Sequence, residues 1–182
     1  LGRFGGTDLS HNTMAASTVR VGLASQPVIN LLRDHLLDSP IVFGDETTVQ
    51  VLKEPGRAAQ SKSYMWVQMT QGSGPEGTGP PIRLFGYSPS RSTDAAMQMY
   101  AGLRIGAVLM TDGYEVYDKI EKANRLVHLG CWAHARRYMV DALQVLPKNA
   151  RTPEQPAAQF IELIAKLYAV ESRARKLQMD AQ

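Results

Sequence analysis

The sequence predicts an α/β fold in which a mixed five-stranded sheet is flanked by helices. Two observations support this class. Three short segments of strand composition follow one another between residues 41 and 87, and the pattern then changes to an alternation of helix and strand. Hydrophobic residues make up 44% of the 182 residues, which is enough for the core of a domain of ordinary size. We therefore expect three antiparallel strands followed by two parallel ones.

The three early strands are expected at residues 41–51, 63–69 and 81–87. The Gly- and Pro-containing stretches "KEPGR" and "TQGSGPEGTGPP" separate them, and such short connections favour an antiparallel meander. Before the strands, "GGTDLSHNT" is typical of turns and is followed by a helical pattern that ends at Asp38–Pro40. One face of this helix carries Val28, Leu31, Leu32 and Leu36.

Helices and strands alternate in the second half. The sequence predicts a helix over 92–103, a strand in "IGAVLMTDG", a helix in "YEVYDKIEKAN", a strand in "RLVHLGCW" and a helix that Pro147 ends. The continuous apolar runs of both strands indicate burial on two faces. A long amphipathic helix is expected over 157–179. Its inward residues are expected to be Phe160, Leu163, Ile164, Leu167 and Tyr168.

This order of elements is that of the ribonuclease-H-like fold, in which the first and fourth strands are parallel neighbours. We divide the chain into a helical N-terminal segment (1–40), a core (41–150) and the start of a helical insertion (151–182). Asp45 lies at the centre of the first strand and Asp112 at the carboxyl end of the fourth. The two aspartates are therefore expected to meet.

A carboxylate on a buried strand is costly unless it is paired, hydrogen-bonded or bound to metal. Strand alternation places Asp45 on the side of Phe43 and Val49, and Glu46 on the opposite side, where we expect a structural role. Mg²⁺ or Mn²⁺ between Asp45 and Asp112 would remove their repulsion. With a third carboxylate, such a site supports two-metal phosphoryl transfer on nucleic acid. Taken alone, "TDGY" is equally compatible with a turn or a helix cap.

Three stretches carry a resemblance to a known family: "GDETTVQVLKEPGRAAQSKSYMWVQM", "RLFGYSPSRSTDAAMQMYAGLRIGAVLMTDGYEVYDKI" and "HLGCWAHARRYMVDAL". They resemble the catalytic core of bacterial DDE transposases of the insertion-sequence-sixty-six family. The resemblance implies that Asp45 and Asp112 are the first two catalytic, metal-binding acids, with Mg²⁺ or Mn²⁺ in a two-metal site of the complete enzyme. It also implies that Cys131 and His134 form a Cys-x-x-His signature.

Other candidate residues have two readings each. His134 could contact the scissile phosphate or orient a metal ligand, or it could cap its helix while Cys131 packs in the core. Arg136 and Arg137 could bind DNA phosphates or be a solvated helix face. Lys62 is a further DNA-binding candidate near the active edge of the sheet, or a solvated surface lysine. Trp66 and Trp132 are expected in the core. From Asp118 to Arg151, seven Lys/Arg stand against three Asp/Glu, a local excess that suits a phosphate backbone or a solvated face.

The family's third acid, a glutamate in an Asn-Asn-x-x-Glu-Arg type of motif, has no match in this chain. Glu154, Glu162 and Glu171 follow Asp112, but none lies in such a motif. We therefore expect a fragment that is inactive alone and belongs to a transposase that hydrolyses DNA at the transposon ends and joins them to target DNA. The alternatives are another ribonuclease-H-like nuclease or a catalytically dead DNA-binding remnant.

The resemblance to transposases also implies the partners and the location of the protein. We expect double-stranded DNA as the partner, a homo-oligomer when full length, and no membrane association, in a bacterial, nucleoid-associated cytoplasmic setting. A single cysteine fits a reducing compartment. No apolar stretch reaches the roughly 20 residues that a membrane-spanning helix needs.

Overall fold

A computed structural model describes residues 10–177 of the protein. The elements are, in chain order, helix α1 (His11–Leu37), strands β1 (Ile41–Gln50), β2 (Lys62–Met69) and β3 (Arg83–Ser88), helix α2 (Thr93–Tyr100), strand β4 (Val108–Thr111), helix α3 (Val116–Asn124), strand β5 (Val127–Gly130), helix α4 (Trp132–Val145), a 3₁₀ turn (Lys148–Ala150) and helix α5 (Pro156–Lys176).

The five strands form one sheet in the order β3-β2-β1-β4-β5. Strand β1 pairs antiparallel with β2, and β2 pairs antiparallel with β3. On its other side β1 pairs parallel with β4, which pairs parallel with β5. The predicted arrangement of three antiparallel and two parallel strands is confirmed, and β1 and β4 are parallel neighbours as the predicted order of elements requires.

Helix α1 begins earlier than the sequence suggested. The Ser10 side chain accepts a hydrogen bond from the backbone N–H of Thr13 at 3.1 Å and so caps the helix. The turn that was expected over "GGTDLSHNT" is therefore wrong from His11 onward, where the chain is helical. The earlier residues of that turn lie outside the described ones. Of the apolar face, only Leu36 is buried. Val28 and Leu31 are more than half exposed, because α1 meets the rest of the domain near its carboxyl end.

One face of the sheet, here called the core face, is closely covered by α2 and α3. Its fully buried residues come from strands and helices alike: Val42, Trp66, Tyr100, Leu109, Tyr117 and Ile120. The rings of Trp66, Tyr100 and Tyr117 meet edge to face, with centroids 5.7 to 6.5 Å apart. Gly44 lies above Tyr100 so closely that a Cβ at this position would collide with the tyrosine hydroxyl.

The opposite face, here called the site face, is only partly covered. Phe43 and Met110 are half-buried there. Strand β5 is not buried on two faces as predicted: Val127 and Leu129 are 47% and 43% exposed, because β5 is the edge strand of the sheet. In β4, likewise, Leu109 and Thr111 are buried on the core face while their neighbours are intermediate. The expectation of full burial is therefore wrong for β5 and only half right for β4.

Helix α5 packs against α4 along a narrow line. Ile164 is buried, but Leu163, Leu167 and Tyr168 are 57%, 51% and 43% exposed, so most of the predicted inward set is wrong. A single neighbouring helix covers less of α5 than its apolar stripe is wide. The predicted end of this helix at 178–179 lies outside the described residues. Among the helices of residues 10–177, none is long and apolar enough to cross a membrane.

Candidate active site

Asp45 lies in β1, and Asp112 directly follows the neighbouring parallel strand β4. Phe43 of β1 is paired with Met110 of β4, and each aspartate follows its paired residue by two positions. Because successive side chains alternate between faces along a strand, Phe43, Asp45 and Met110 belong to the site face. Neighbouring strands are about 4.8 Å apart, so a register continued beyond Met110 would bring Asp112 beside Asp45. Asp112 follows directly after the last residue of β4, at its carboxyl end.

Each aspartate is oriented by a local backbone hydrogen bond. Oδ1 of Asp45 accepts from the N–H of Glu46 at 2.9 Å, and Oδ1 of Asp112 accepts from the N–H of Tyr114 at 3.0 Å. The second oxygen, Oδ2, of Asp45 lies 3.4 Å from Nε2 of His134. Oδ2 of Asp112 has no hydrogen bond from residues 10–177. The Asp45 side chain is 47% exposed, so a ligand can reach it from solvent.

His134 is held over β1 by the way in which α4 starts. The N–H of Cys131 donates to the carbonyl of Thr111 at 2.8 Å, which joins the start of α4 to the end of β4. One helical turn later, His134 faces Asp45, and its Nδ1 is buried without a hydrogen-bond partner in the described part of the chain. Both residues line a cavity of about 180 Å³. Its lining includes Phe43, Asp45, Met110, Cys131 and His134.

On the core face, the neighbouring Glu46 is fully engaged by protein groups. Its side chain is 2% exposed and forms an ion pair with Arg91, whose Nε donates to Oε1 at 2.6 Å. The Tyr117 hydroxyl donates to Oε2. Burial of the guanidinium lowers the pKa of Arg91, but the hydrogen bond and the charge of Glu46 outweigh this and raise it overall. Burial is also the main cause of the raised pKa of Tyr117.

Sequence reasoning missed Arg91 and Tyr114. The guanidinium carbon of Arg91 lies 3.7 Å from the centre of the Tyr114 ring, and the Tyr114 hydroxyl donates to the carbonyl of Arg91 at 2.9 Å. The available signal was the pair of segments "YSPSR" and "DGY" within the family resemblance. Their mutual contact could not be read from the sequence, because 23 residues separate them.

No third carboxylate joins the aspartate pair within residues 10–177. The one group of three possible metal ligands in that part of the chain is Asp118, Glu121 and His128. There His128 is already hydrogen-bonded, with Nδ1 3.0 Å from Asp118 and Nε2 2.8 Å from the Thr111 hydroxyl. Of the other acids that follow Asp112, Glu154 precedes α5, while Glu162 and Glu171 pair on the surface of α5 with Lys166 and Arg175.

The basic candidates lie at different distances from the pair. Arg136 and Arg137 are exposed on α4, the helix that carries His134, and neither forms an ion pair within the described residues. Lys62 is paired with Gln50 in the β1–β2 hairpin, whereas Asp45 is paired with Val67. This separates Lys62 from the level of Asp45 by five residues, or about 17 Å of strand, so its expected position near the active edge is wrong.

The tryptophans differ from each other. Trp66 is fully buried, as predicted. Trp132 is 49% exposed, so its predicted place in the core is wrong. As the first residue of α4, it packs against Phe160 of α5 on the site face, with ring centroids 6.2 Å apart.

Comparison with known proteins places the chain in a family. The sequence matches the family described as "Transposase IS66 family" over residues 1–182. It is 27% identical over 177 residues to the "Uncharacterized protein y4qI" of Sinorhizobium fredii (strain NBRC 101917 / NGR234). That match covers 93% of this chain and 31% of the relative, so the chain spans about a third of the relative's length.

Solved structures with a related arrangement include integrase and transposase complexes. The HTLV-2 integrase catalytic core domain in complex with magnesium is 12% identical, with 68% of this chain and 80% of that chain covered and a TM-score of 0.32. A pre-cleavage Mos1 transpososome is 11% identical, with 100% of this chain and 67% of that chain covered and a TM-score of 0.34. The family match over the whole chain decides the assignment: this chain belongs to the IS66 family of transposases.

Proposed function

We propose that this chain supplies the first two acids, Asp45 and Asp112, of an active site that cuts and joins DNA during transposition. The observation that supports the proposal is the register of β1 and β4, in which Phe43 pairs with Met110 and each of these residues precedes one of the aspartates by two positions. Membership of the transposase family supports the same reaction class. Glu46 is not a metal ligand in this proposal, because its carboxylate is buried on the other face with Arg91.

The donor set fits a hard divalent cation. Two neighbouring carboxylates would repel each other, and each has only one oxygen on a backbone N–H within residues 10–177, which leaves Oδ2 of each aspartate for a metal ligand. Carboxylate oxygens are the ligands preferred by Mg²⁺ and Mn²⁺. When bound with a third carboxylate, a pair of such ions supplies activation of the attacking oxygen and stabilisation of the leaving oxygen at a phosphodiester. His134 keeps the Asp45 carboxylate in position.

The wider proposal concerns the complete protein. A third carboxylate from outside residues 10–177 completes the site. The complete transposase, as a homo-oligomer, hydrolyses DNA at the transposon ends, and the freed 3′ hydroxyl then attacks a phosphodiester of the target DNA, which joins the transposon end to the target and breaks the target strand. Exposed Arg136 and Arg137 contact DNA phosphates beside the site. The segment boundaries at residues 40 and 150 belong to the same proposal.

Calorimetric titration of the 182-residue chain with Mn²⁺ tests the acid pair. We expect the wild type to bind Mn²⁺, and Asp45→Asn and Asp112→Asn to lose this binding. Asp141→Asn is the matched control, because Asp141 is an exposed aspartate elsewhere on α4 and should leave binding unchanged. Binding that survives both substitutions at the pair would show that these aspartates are structural. Cleavage or joining of DNA by this chain alone with Mg²⁺ would contradict the need for a third carboxylate.

A further inference from the structure

We infer that Arg91 is a positioning residue for the metal-binding pair: it ties the turn that carries Asp112 to the strand that carries Asp45. This inference rests on the proposed function, since it concerns how the same pair is held. Arg91 lies in the loop between β3 and α2 and touches neither aspartate through a hydrogen bond within residues 10–177. It acts through the residue that follows Asp45 and through the tyrosine two positions after Asp112.

The first contact fixes β1 beside Asp45. Arg91 donates from Nε and pairs through Nη2 to Oε1 of Glu46, while Tyr117 donates to the other carboxylate oxygen. Because the Glu46 side chain is buried, its charge has to be matched by these donors. Glu46 in turn donates its own N–H to Oδ1 of Asp45. A shift of Glu46 would therefore change the orientation of the catalytic carboxylate.

The second contact fixes the turn after β4. Strand pairing stops at Thr111, so Asp112 itself is not held by the sheet. Tyr114 donates its N–H to Oδ1 of Asp112, and its ring and hydroxyl are both held by Arg91, the ring under the guanidinium and the hydroxyl on the Arg91 carbonyl. The orientation of the Asp112 carboxylate thus depends on a tyrosine that Arg91 anchors.

Together the two contacts form a bridge from Asp45 through Glu46, Arg91 and Tyr114 to Asp112. Arginine suits this place because its planar guanidinium can form a fork of hydrogen bonds on one side and stack on a ring on the other. Lysine keeps the charge but cannot reproduce both contacts.

The sign of the effect on metal affinity separates positioning from simple electrostatics. Arg91 carries a positive charge near the pair, and this charge by itself disfavours a bound cation. If Arg91 acted only through its field, Arg91→Ala would tighten Mn²⁺ binding. If Arg91 positions the carboxylates, the same substitution weakens it, and lost support around metal ligands typically costs about 10- to 100-fold in affinity.

The experiment is a Mn²⁺ titration of the 182-residue chain as wild type, Arg91→Ala, Arg91→Lys and Tyr114→Phe. Arg83→Ala serves as a matched control, since Arg83 is exposed at the start of β3. We expect the Kd for Mn²⁺ to rise at least about tenfold in both Arg91 variants. In Tyr114→Phe, which loses one hydroxyl hydrogen bond and keeps the ring, we expect a rise of about threefold. Arg83→Ala should match the wild type.

Near-ultraviolet circular dichroism establishes whether each variant is folded. If Arg91→Ala does not fold, the Kd of Tyr114→Phe for Mn²⁺ alone tests the inference. Unchanged or tighter Mn²⁺ binding in folded Arg91→Ala overturns the inference. If Arg91→Ala does not fold, an unchanged Kd in Tyr114→Phe overturns it. A wild type that does not bind Mn²⁺ refutes the proposed function. Binding that needs Asp45 and Asp112 but not Arg91 refutes the inference alone.

Discussion

Each face of the sheet carries one acid of strand β1, and the two carboxylates have opposite environments. On the core face the carboxylate of Glu46 is neutralised by an arginine and a tyrosine of the same chain and is 2% exposed. On the site face the adjacent Asp45 is 47% exposed and, within residues 10–177, its carboxylate has one backbone N–H and one histidine as polar partners. The difference teaches that two acids adjacent in one strand can have opposite environments, and that the charge of Asp45 is the one that protein groups match less completely.

Substitution of the two tryptophans should give the largest difference in stability between the two faces. We expect Trp66→Ala to lower the free energy of unfolding by about 4 kcal/mol, because the ring is fully buried on the core face and the substitution leaves a cavity. Trp132→Ala, on the half-open site face, should cost about 1 kcal/mol, since half of its surface is already in water. Urea unfolding followed by far-ultraviolet circular dichroism measures both. Equal losses would mean that the two faces contribute equally to stability.

Substitution of the adjacent acids Glu46 and Asp45 should give the next largest difference in stability. Glu46→Ala should cost about 3 kcal/mol, because it leaves Arg91 and the Tyr117 hydroxyl without their buried partner. Asp45→Ala should change the free energy of unfolding by less than about 1 kcal/mol, since it also removes repulsion from Asp112. The same urea titration compares the two variants. A loss at Asp45 as large as that at Glu46 would contradict the division of roles between the faces.

The smallest effect concerns pH. Burial raises the pKa of both Tyr100 and Tyr117 above the ordinary value of 10.0. A group whose folded pKa is raised stabilises the fold fully below its unfolded pKa, so this contribution is present below pH 10.0 and is lost progressively above it. We expect tyrosinate absorbance to show a delayed component that appears only as the protein unfolds, and this component should shrink in Tyr117→Phe. Complete ionisation of every tyrosine near pH 10.0 in the folded protein would contradict it.

Much of the fold was predictable from local patterns. Strand alternation gave opposite directions for Asp45 and Glu46, and the order of strands and helices gave the sheet in which β1 and β4 are neighbours. These features depend on a period of two residues and on short connections, both of which are local properties of the sequence.

The remaining errors share a physical cause. Apolar spacing shows which side of a helix is hydrophobic, but it does not show how much of that side a neighbour covers, and so Leu163 and Leu167 were expected inside. The partnership of Arg91 with Glu46 joins residues 45 positions apart, and it depends on the path of a loop that no local pattern encodes. Lys62 was expected near the active edge but lies at the other end of β2 from the level of Asp45. Composition indicates that a segment is a strand, but it does not show how far the strand extends beyond a given residue.

The contrasting tryptophans also give the molecule two internal fluorophores. Trp66 sits among the rings of Tyr100 and Tyr117, without water contact, so its emission is expected at short wavelength and should report whether the core is intact. Trp132 is half in water and lines a second cavity on the site face, of about 950 Å³, together with Cys131 and Met110. Its emission is expected at longer wavelength. One spectrum can therefore distinguish an event at the site face from a loss of the fold, without any added label.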